Sequence, residues 1–480
     1  QSGDVIFVTR GAIMELSFCE VQVKHQPQLR VPRASFLKPV KRERSWRLST
    51  LCASCAGLAS LSRQFSRSKS ARHAARPRLL LLGGCGRIGT AAAVHLMKRA
   101  PGPLEVILAG RKADQGKAAV KEVKAEVFGE HQGHEVSFRQ VDWQKPGKLP
   151  LDDIDVLLHT AGPFDGEPTV LRAALEQQVP IYVDVADPMS YLDAAEAMDQ
   201  EFQDAQCMAL CSAGAFPGFS NILAMECAKQ LQDSGSTEIQ DLNFSYFTAG
   251  LGGSGAINLL ITNLGFGDAV PVFKDGVYAP QMVAGSEMRQ VDFFLDESDP
   301  AFQAVGRRDV WSWPFPEAGT VPRRLKIQGN SSTGMGTAPG IWNDILVALV
   351  SLVNRDLWRQ RSFSEALANF SLPMVWVTDQ FVKETHAMRV EATSKDGRRC
   401  ICVQAHQSFR RCVAQSAAEF VLHLLERRGF WGASPFPWQP GVYLPERLAE
   451  DKEVRRELLG RLTSTEGTIS CGFRLGLERG

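Results

Sequence analysis

Six residues early in the chain have the spacing of a phosphate cradle. Gly84-Cys85-Gly86-Arg87-Ile88-Gly89 reads G-x-G-x-x-G. In such loops the first glycine permits a tight turn, the second lets the backbone approach a pyrophosphate, and the third lets helix and strand pack closely. The context is the required one. Leu79–Leu82 is a short apolar run suited to a central parallel strand, and Ile88, Ala92 and Leu96 recur at helical spacing after the loop. The opening turn of that helix then points its free amides at the anion. Further on, a site for an unphosphorylated dinucleotide expects an acid that holds the ribose 2′-hydroxyl. Here the strand Leu104–Leu108 ends in Ala109-Gly110-Arg111-Lys112. Two cations suit a 2′-phosphate, so the expected cofactor is NADP(H), held by Gly84, Gly86, Arg87, Ile88, Gly89, Arg111 and Lys112. Asp142, after the strand Val136–Val141, and Ala161-Gly162-Pro163, after Ile154–Leu158, complete the expected cofactor contacts.

Hydride transfer needs positioning and a proton source. His159, Tyr182, Asp184 and Asp187 lie at or near predicted strand ends, where open α/β sheets bind ligands. His159 is the candidate general acid, because an unperturbed imidazole titrates near neutrality. Asp184 is expected to orient a loop or a substrate amine, with Asp187 beside it. Tyr182 is expected to face packing, opposite Val183. The Ser-x-x-x-Tyr-x-x-x-Lys array of short-chain dehydrogenases is missing, and the nine histidines are scattered, so no metal site is expected. The 11 cysteines show no zinc spacing; Cys52 and Cys55 form a C-x-x-C without a second pair, and the expectation is reduced thiols.

These residues need a scaffold. Apolar strands alternate with helical segments through residue 230, which predicts a parallel, doubly wound α/β sheet. The next part reads as α+β. Asp-Gly turns within Val272–Tyr278 and Met388–Gln404 predict hairpins. Gly250–Gly255 precedes an apolar helical run, and Gly334 and Gly336 precede a helix near Pro339; both are candidate loops facing the nicotinamide. The expected organisation is a leader over 1–76, a Rossmann NADP-binding domain over 77–235, a second substrate or dimerisation domain over 236–420, closing Rossmann elements over 421–445, and a C-terminal helix and tail over 446–480. In that last helix Asp451 and Arg455 have i,i+4 spacing. The aromatic run from Trp431 to Trp438 reads as an anchoring loop.

The junctions carry a resemblance. AGPFDGEPTVLRAAL, YVDVADP and AGAFPGFSNILA resemble the saccharopine dehydrogenase-like NADP-binding family. FSYFTAGLGGSGAINLL and FGDAV…VFKDG are most similar to its plastid members from plants and algae. The likeness runs from Arg78 to Glu446 and closes on G-V-Y-L-P-E. It implies a Rossmann domain with a second α+β domain inserted before the last Rossmann elements, and chemistry on imines formed between amines and carbonyl compounds. Two departures stand out: Ala186-Asp187-Pro188 follows the YVD strand where amino-acid-handling members carry an acid and a glycine, and His159 replaces the usual Asn or Ser.

Composition bounds the rest. The chain is 44% hydrophobic and 22% charged, which excludes a disordered or fibrous protein. With 54 basic and 53 acidic residues it lacks the excess of a nucleic-acid binder. Residues 1–80 carry 15 Lys/Arg against 4 Asp/Glu, so the remaining body is acidic. An Arg- and Ser-rich leader without acids from Arg44 to Leu104 predicts a transit peptide into a plastid, with a mitochondrion as the alternative. Met14 is a candidate start. Leu48–Leu61 and Ile341–Val353 are too short or too polar to span a bilayer. The expected partners are a small-molecule substrate and a second copy in a homodimer. The expected function is an NADP(H)-dependent oxidoreductase acting on a small amino or imino compound; a non-catalytic NADP-binding sensor or scaffold is the alternative.

Overall fold

The apolar runs become the centre of a seven-stranded parallel sheet. The computed structural model describes residues 76–477 except 128, 130–132, 146–148, 165, 237, 251–255, 281–282 and 433–438. The leader and the loop 251–255, together with the pair Cys52 and Cys55, lie outside the described residues. The first sheet holds β1 (Arg78–Leu82), β2 (Glu105–Gly110), β3 (Glu135–Gln140), β4 (Val156–His159), β5 (Ile181–Asp184), β6 (Met208–Leu210) and, late in the chain, β15 (Gly441–Tyr443). Its order is β15-β6-β5-β4-β1-β2-β3. The order reverses between β1 and β4, and in open α/β sheets ligands bind at such a switch point. Leu79, Leu80, Leu81 and Leu82 are buried on both faces, as a covered central strand demands.

The second sheet is mixed. It comprises β7 (Ile239–Ala249), the hairpin β8 (Phe273–Lys274) and β9 (Val277–Tyr278), β10 (Met288–Asp292), β11 (Arg307–Ser312), β12 (Ser331–Ala338), β13 (Thr385–Ser394), β14 (Arg398–His406) and β16 (Thr468–Leu477). The order is β10-β11-β12-β7-β13-β14-β16, with β8 beside β12. Both Asp-Gly hairpins form where the turn residues place them. The helices Phe219–Asp233 and Phe409–Arg427 bury side chains in a core shared by both sheets.

Four expectations need correction. The helix expected over 421–430 runs from Phe409 to Arg427, so a boundary at 420/421 cuts a continuous buried helix. Residues beyond 446 do not end in a tail: Thr468–Leu477 pairs antiparallel with β14 along the second sheet. Asp451 caps its helix by accepting from the amides of Glu453 and Val454, while Arg455 is buried and pairs with Glu226. Gly334 and Gly336 sit inside β12, not in a loop. There a Cβ on Gly336 would collide with the Asp309 carbonyl of β11, so the glycines serve strand packing. Trp431 does anchor: its Nε1 donates to the Pro103 carbonyl at 3.3 Å.

Candidate active site

The cradle is built from backbone. The Gly83 amide donates to the Ala109 carbonyl at 3.0 Å, the Gly84 amide to Leu81 at 2.9 Å, and the Gly86 amide to Gly83 at 2.8 Å. Gly83, not Gly84, takes the left-handed conformation, with φ of +83°. It also has no room for a side chain, because a Cβ would lie 2.9 Å from the Ala161 nitrogen. Gly84 is needed for close approach: its Cβ would sit 2.7 Å from the Leu81 carbonyl oxygen. At Gly89 a Cβ would lie 2.6 Å from the Gly84 Cα and closer still to the Gly83 carbonyl. Gly86 differs. Its only close neighbour would be the Gly83 carbonyl at 3.1 Å, so one side of it is open.

The helix Arg87–Arg99 starts at Gly86 with no side-chain cap and no acid in its first turn. Its first amides are thus offered to an anion, and the helix dipole favours negative charge there. Arg111 and Lys112 are exposed just beyond β2. These features fit a phosphorylated dinucleotide: glycines where a Cβ would fill the cradle, an uncapped helix start, and two exposed cations at the end of the second strand. Asp142 is half-buried and shapes its own turn, accepting from the Gln144 amide at 3.3 Å. Ala161-Gly162-Pro163 abuts the cradle through Gly83, and Ile261 of the helix Ala256–Gly265 lies over Gly162. The second domain therefore covers the loop at the switch point.

The proton-transfer candidates separate. His159 is 2% exposed. Its Nδ1 is 3.0 Å from the Tyr182 hydroxyl, and its ring is edge-on to Phe164 and Trp143. Burial pushes its imidazole down to about 3. The ring is thus neutral throughout the physiological range, and the expectation of a His159 general acid is corrected to a packing role. Tyr182 is buried as expected but polar in its contacts: its hydroxyl is 3.0 Å from that of Tyr191. Tyr191 in turn donates to Asp184 Oδ2 at 3.0 Å. Asp184 is fully buried, and its Oδ1 accepts from the amides of Ala186 and Ser212. It ties the loops after β5 and β6 together. Asp187 alone of the four remains half-buried. Desolvation, with the Asp268 and Asp184 charges, raises its carboxyl to about 6. Asp268 follows the helix that lies over Gly162, so a charge of the second domain contributes to that shift.

Two features escaped the sequence reading. Helix Phe409–Arg427 runs alongside Arg87–Arg99 in the same direction. His95 and Arg99 of one reach Glu419 of the other at 2.7 and 3.0 Å, which sets Arg410 level with Arg87. Desolvation and the Arg87 charge both lower the Arg410 guanidinium from its usual range. A cation in the first turn of a helix opposes the dipole, and that is the signal a sequence offers. The second feature is Glu317, wholly buried. Its Oε1 accepts from Tyr246 at 2.6 Å and Ser220 at 2.9 Å, and burial raises its carboxyl to about 7. Next to Ser220, Asn221 donates to the buried Glu446 at 2.7 Å. Phe216 stacks on Tyr246 with ring centroids 4.2 Å apart, so AGAFPGFSN is the seam between the two domains. Among the described residues no group of three or more His, Cys, Asp and Glu side chains is placed to hold a metal, and no helix is long and apolar enough to cross a membrane.

Comparison with known proteins agrees with this geometry. Residues 79–210 match the family model of the saccharopine dehydrogenase NADP binding domain, and the match supports NADP(H) as the cofactor. Among solved structures the chain is similar to apo saccharopine dehydrogenase (L-Glu forming) from Saccharomyces cerevisiae. The identity is 12%, the coverage 83% of this chain and 100% of that one, and the TM-score 0.55. At that identity the likeness is one of fold. A malate dehydrogenase from Salinibacter ruber overlaps 32% of this chain and 50% of its own, at 16% identity and a TM-score of 0.21. No curated protein matches the sequence.

Proposed function

We propose that this chain is an NADP(H)-dependent oxidoreductase that transfers hydride to or from a small amino or imino compound. The observation that carries the reading is the covered cradle. The glycine loop, the Ala161–Pro163 loop and the helix Ala256–Gly265 converge at the switch point. When bound, the nicotinamide supplies the hydride; the protein's own work is orientation, exclusion of water and movement of one proton. Backbone amides at Gly86–Gly89 hold phosphate, and Arg111 and Lys112 hold the 2′-phosphate. Asp187, poised near 6, accepts or returns the proton of the substrate nitrogen, while Asp184 fixes the loop that carries it. The imine class is supported by resemblance to a family that handles such compounds.

The test is NADPH oxidation against a panel of amine and keto-acid pairs that form imines, beside direct NADPH binding by fluorescence. Turnover with a limb near pH 6 in the wild-type kcat/KM profile, and a severe loss of turnover in Asp187→Asn, supports the reading. A second reading, a non-catalytic NADP sensor, draws support from the burial of His159 and Asp184. Tight binding with no turnover across the panel selects it, and failure to bind NADPH sinks both. We also propose import into a plastid, from the basic, acid-poor leader. A fluorescent fusion of residues 1–80 that stayed outside plastids and mitochondria would refute this.

A further inference from the structure

A cavity of about 410 Å³ lies at the β15 edge of the parallel sheet, away from the cofactor cradle. Met208, the first residue of β6, lines it, so it sits toward the amino ends of the strands. The cradle is at their carboxyl ends, where open α/β sheets bind ligands. His423, Leu424 and Arg427, from the last turns of the helix Phe409–Arg427, form one wall. Between Arg410, in the first turn of that helix, and His423 the chain rises about 20 Å. The helices Pro445–Leu448 and Lys452–Thr463 supply Arg447, Leu448 and Val454, and Arg324 reaches in from the second domain. Protein interiors leave few voids larger than a water molecule, and a hollow of this size falls among ligand pockets of about 300–1,000 Å³.

The lining has two characters. Met208, Leu424, Leu448 and Val454 are apolar, with the Tyr443 ring beside them. Three guanidinia, of Arg324, Arg427 and Arg447, line the same hollow as two carboxylates, of Glu450 and Asp451. Most of these charges are fixed. Arg427 donates to Glu457 at 2.6 Å. Arg447 donates to Asp199 at 2.9 Å, with its guanidinium 4.5 Å from the centre of the Tyr443 ring. Asp451 accepts from the amides of Glu453 and Val454. Burial lowers the His423 imidazole from its usual range, so it adds no charge at neutral pH. The pair Arg324–Glu450 differs, because both side chains are partly exposed, at 39% and 48%. An ion pair at such exposure contributes little, so its partners exchange readily.

We infer that this cavity is a binding site for a free α-amino acid with an apolar side chain, separate from the cofactor crevice. A zwitterion enters the Arg324–Glu450 pair without a change of net charge: its carboxylate takes Arg324 and its ammonium takes Glu450. A phosphate ester would bring its charge up to Glu450 and Asp451, and a simple amine would bring its charge up to three guanidinia. Lining of both signs thus selects a ligand of both signs and rejects those of one. The side chain then covers Met208, Leu424, Leu448 and Val454, and its apolar area leaves water. The site requires neither NADP nor turnover.

The experiment is isothermal titration calorimetry of the full chain with L-leucine and L-phenylalanine. Two leucine analogues test the charges: isocaproate lacks the ammonium and isoamylamine lacks the carboxylate. Binding of at least one amino acid in the millimolar range or tighter is expected, with both analogues weaker by about 10-fold or more. Arg324→Gln and, as a separate variant, Glu450→Gln should each weaken it by about 5-fold or more, with circular dichroism unchanged. Gly86→Ala, which alters the cradle, should leave amino-acid binding as it is. No binding by the wild type overturns the inference. So does isocaproate that binds as tightly as leucine, and so do folded Arg324→Gln and Glu450→Gln variants with wild-type affinity. Loss of amino-acid binding in Gly86→Ala overturns it in favour of the cofactor crevice. Failure to bind NADPH would refute the proposed oxidoreductase and leave this site standing.

Discussion

Gly86 and Gly89 belong to one motif but should fail differently when each is replaced by alanine. At Gly89 the new methyl would lie 2.6 Å from the Gly84 Cα and closer to the Gly83 carbonyl. All three neighbouring atoms are backbone, so no side chain can swing away. The helix must lift off β1, and overpacking of this kind costs about 1–3 kcal/mol. A gain of up to about 1 kcal/mol in helix propensity offsets part of it. A net loss of about 1–2 kcal/mol corresponds to a fall in Tm of roughly 2–8 °C. Gly86 has φ of −84° and ψ of 167°, which alanine adopts freely. Its methyl would meet only the Gly83 carbonyl at 3.1 Å, so Tm should stay within about 1 °C. The methyl instead fills the open side, the one offered to a phosphate. NADPH affinity, read by fluorescence titration, should fall at least 10-fold, about 1.4 kcal/mol. Both variants should be measured for Tm and Kd. Gly86→Ala with wild-type affinity would refute the assignment of the open side to phosphate. Gly89→Ala with wild-type Tm would refute the packing argument.

Other outcomes follow from the same geometry. Arg111→Asp should weaken NADPH and raise the relative affinity for NADH; an unchanged ratio would place the 2′-phosphate elsewhere. Arg410→Gln should weaken NADPH by about 5- to 10-fold with little change in Tm, because it removes positive charge level with Arg87. Equal affinity in titrations of both proteins would deny it a phosphate. Glu317 has a folded-state carboxyl raised from 4.5 to about 7, so the native state binds more protons than the unfolded chain between those values. Its contribution is therefore favourable at low pH and declines as pH rises through that window, by up to about 3 kcal/mol. Glu317→Gln keeps an acceptor for Ser220 and Tyr246 and should flatten that decline in a Tm-against-pH series. Glu457 has the opposite sign: the His423 and arginine partners push its carboxyl down to about 2, so its contribution is full above pH 4.5 and is lost as pH falls towards 2.

The cofactor loop was legible because its requirements are local. A strand, three spaced glycines and a helix start are read within a dozen residues, and Arg111-Lys112 follows on the next strand. The alternation of strands and helices likewise implies a parallel sheet, since a parallel pair needs a crossover. Period-two patterning says which side of a strand a residue occupies, but not what covers that side. For that reason the pattern favours His159 as the general acid and does not say which of His159, Asp184 and Asp187 is sealed. The fold seals His159 between Trp143, Phe164 and Tyr182, engages Asp184 with three donors, and leaves Asp187 half-buried. Glu317, Ser220 and Tyr246 meet across 97 and 71 residues of chain, and Arg410 meets Arg87 only because two helices share Glu419. The sequence by itself determined what could bind a phosphate, since that is a property of the backbone and its neighbours. Only the tertiary structure decided which carboxylate is sealed among hydrogen-bond donors and which stays half-buried, because desolvation depends on everything packed around it.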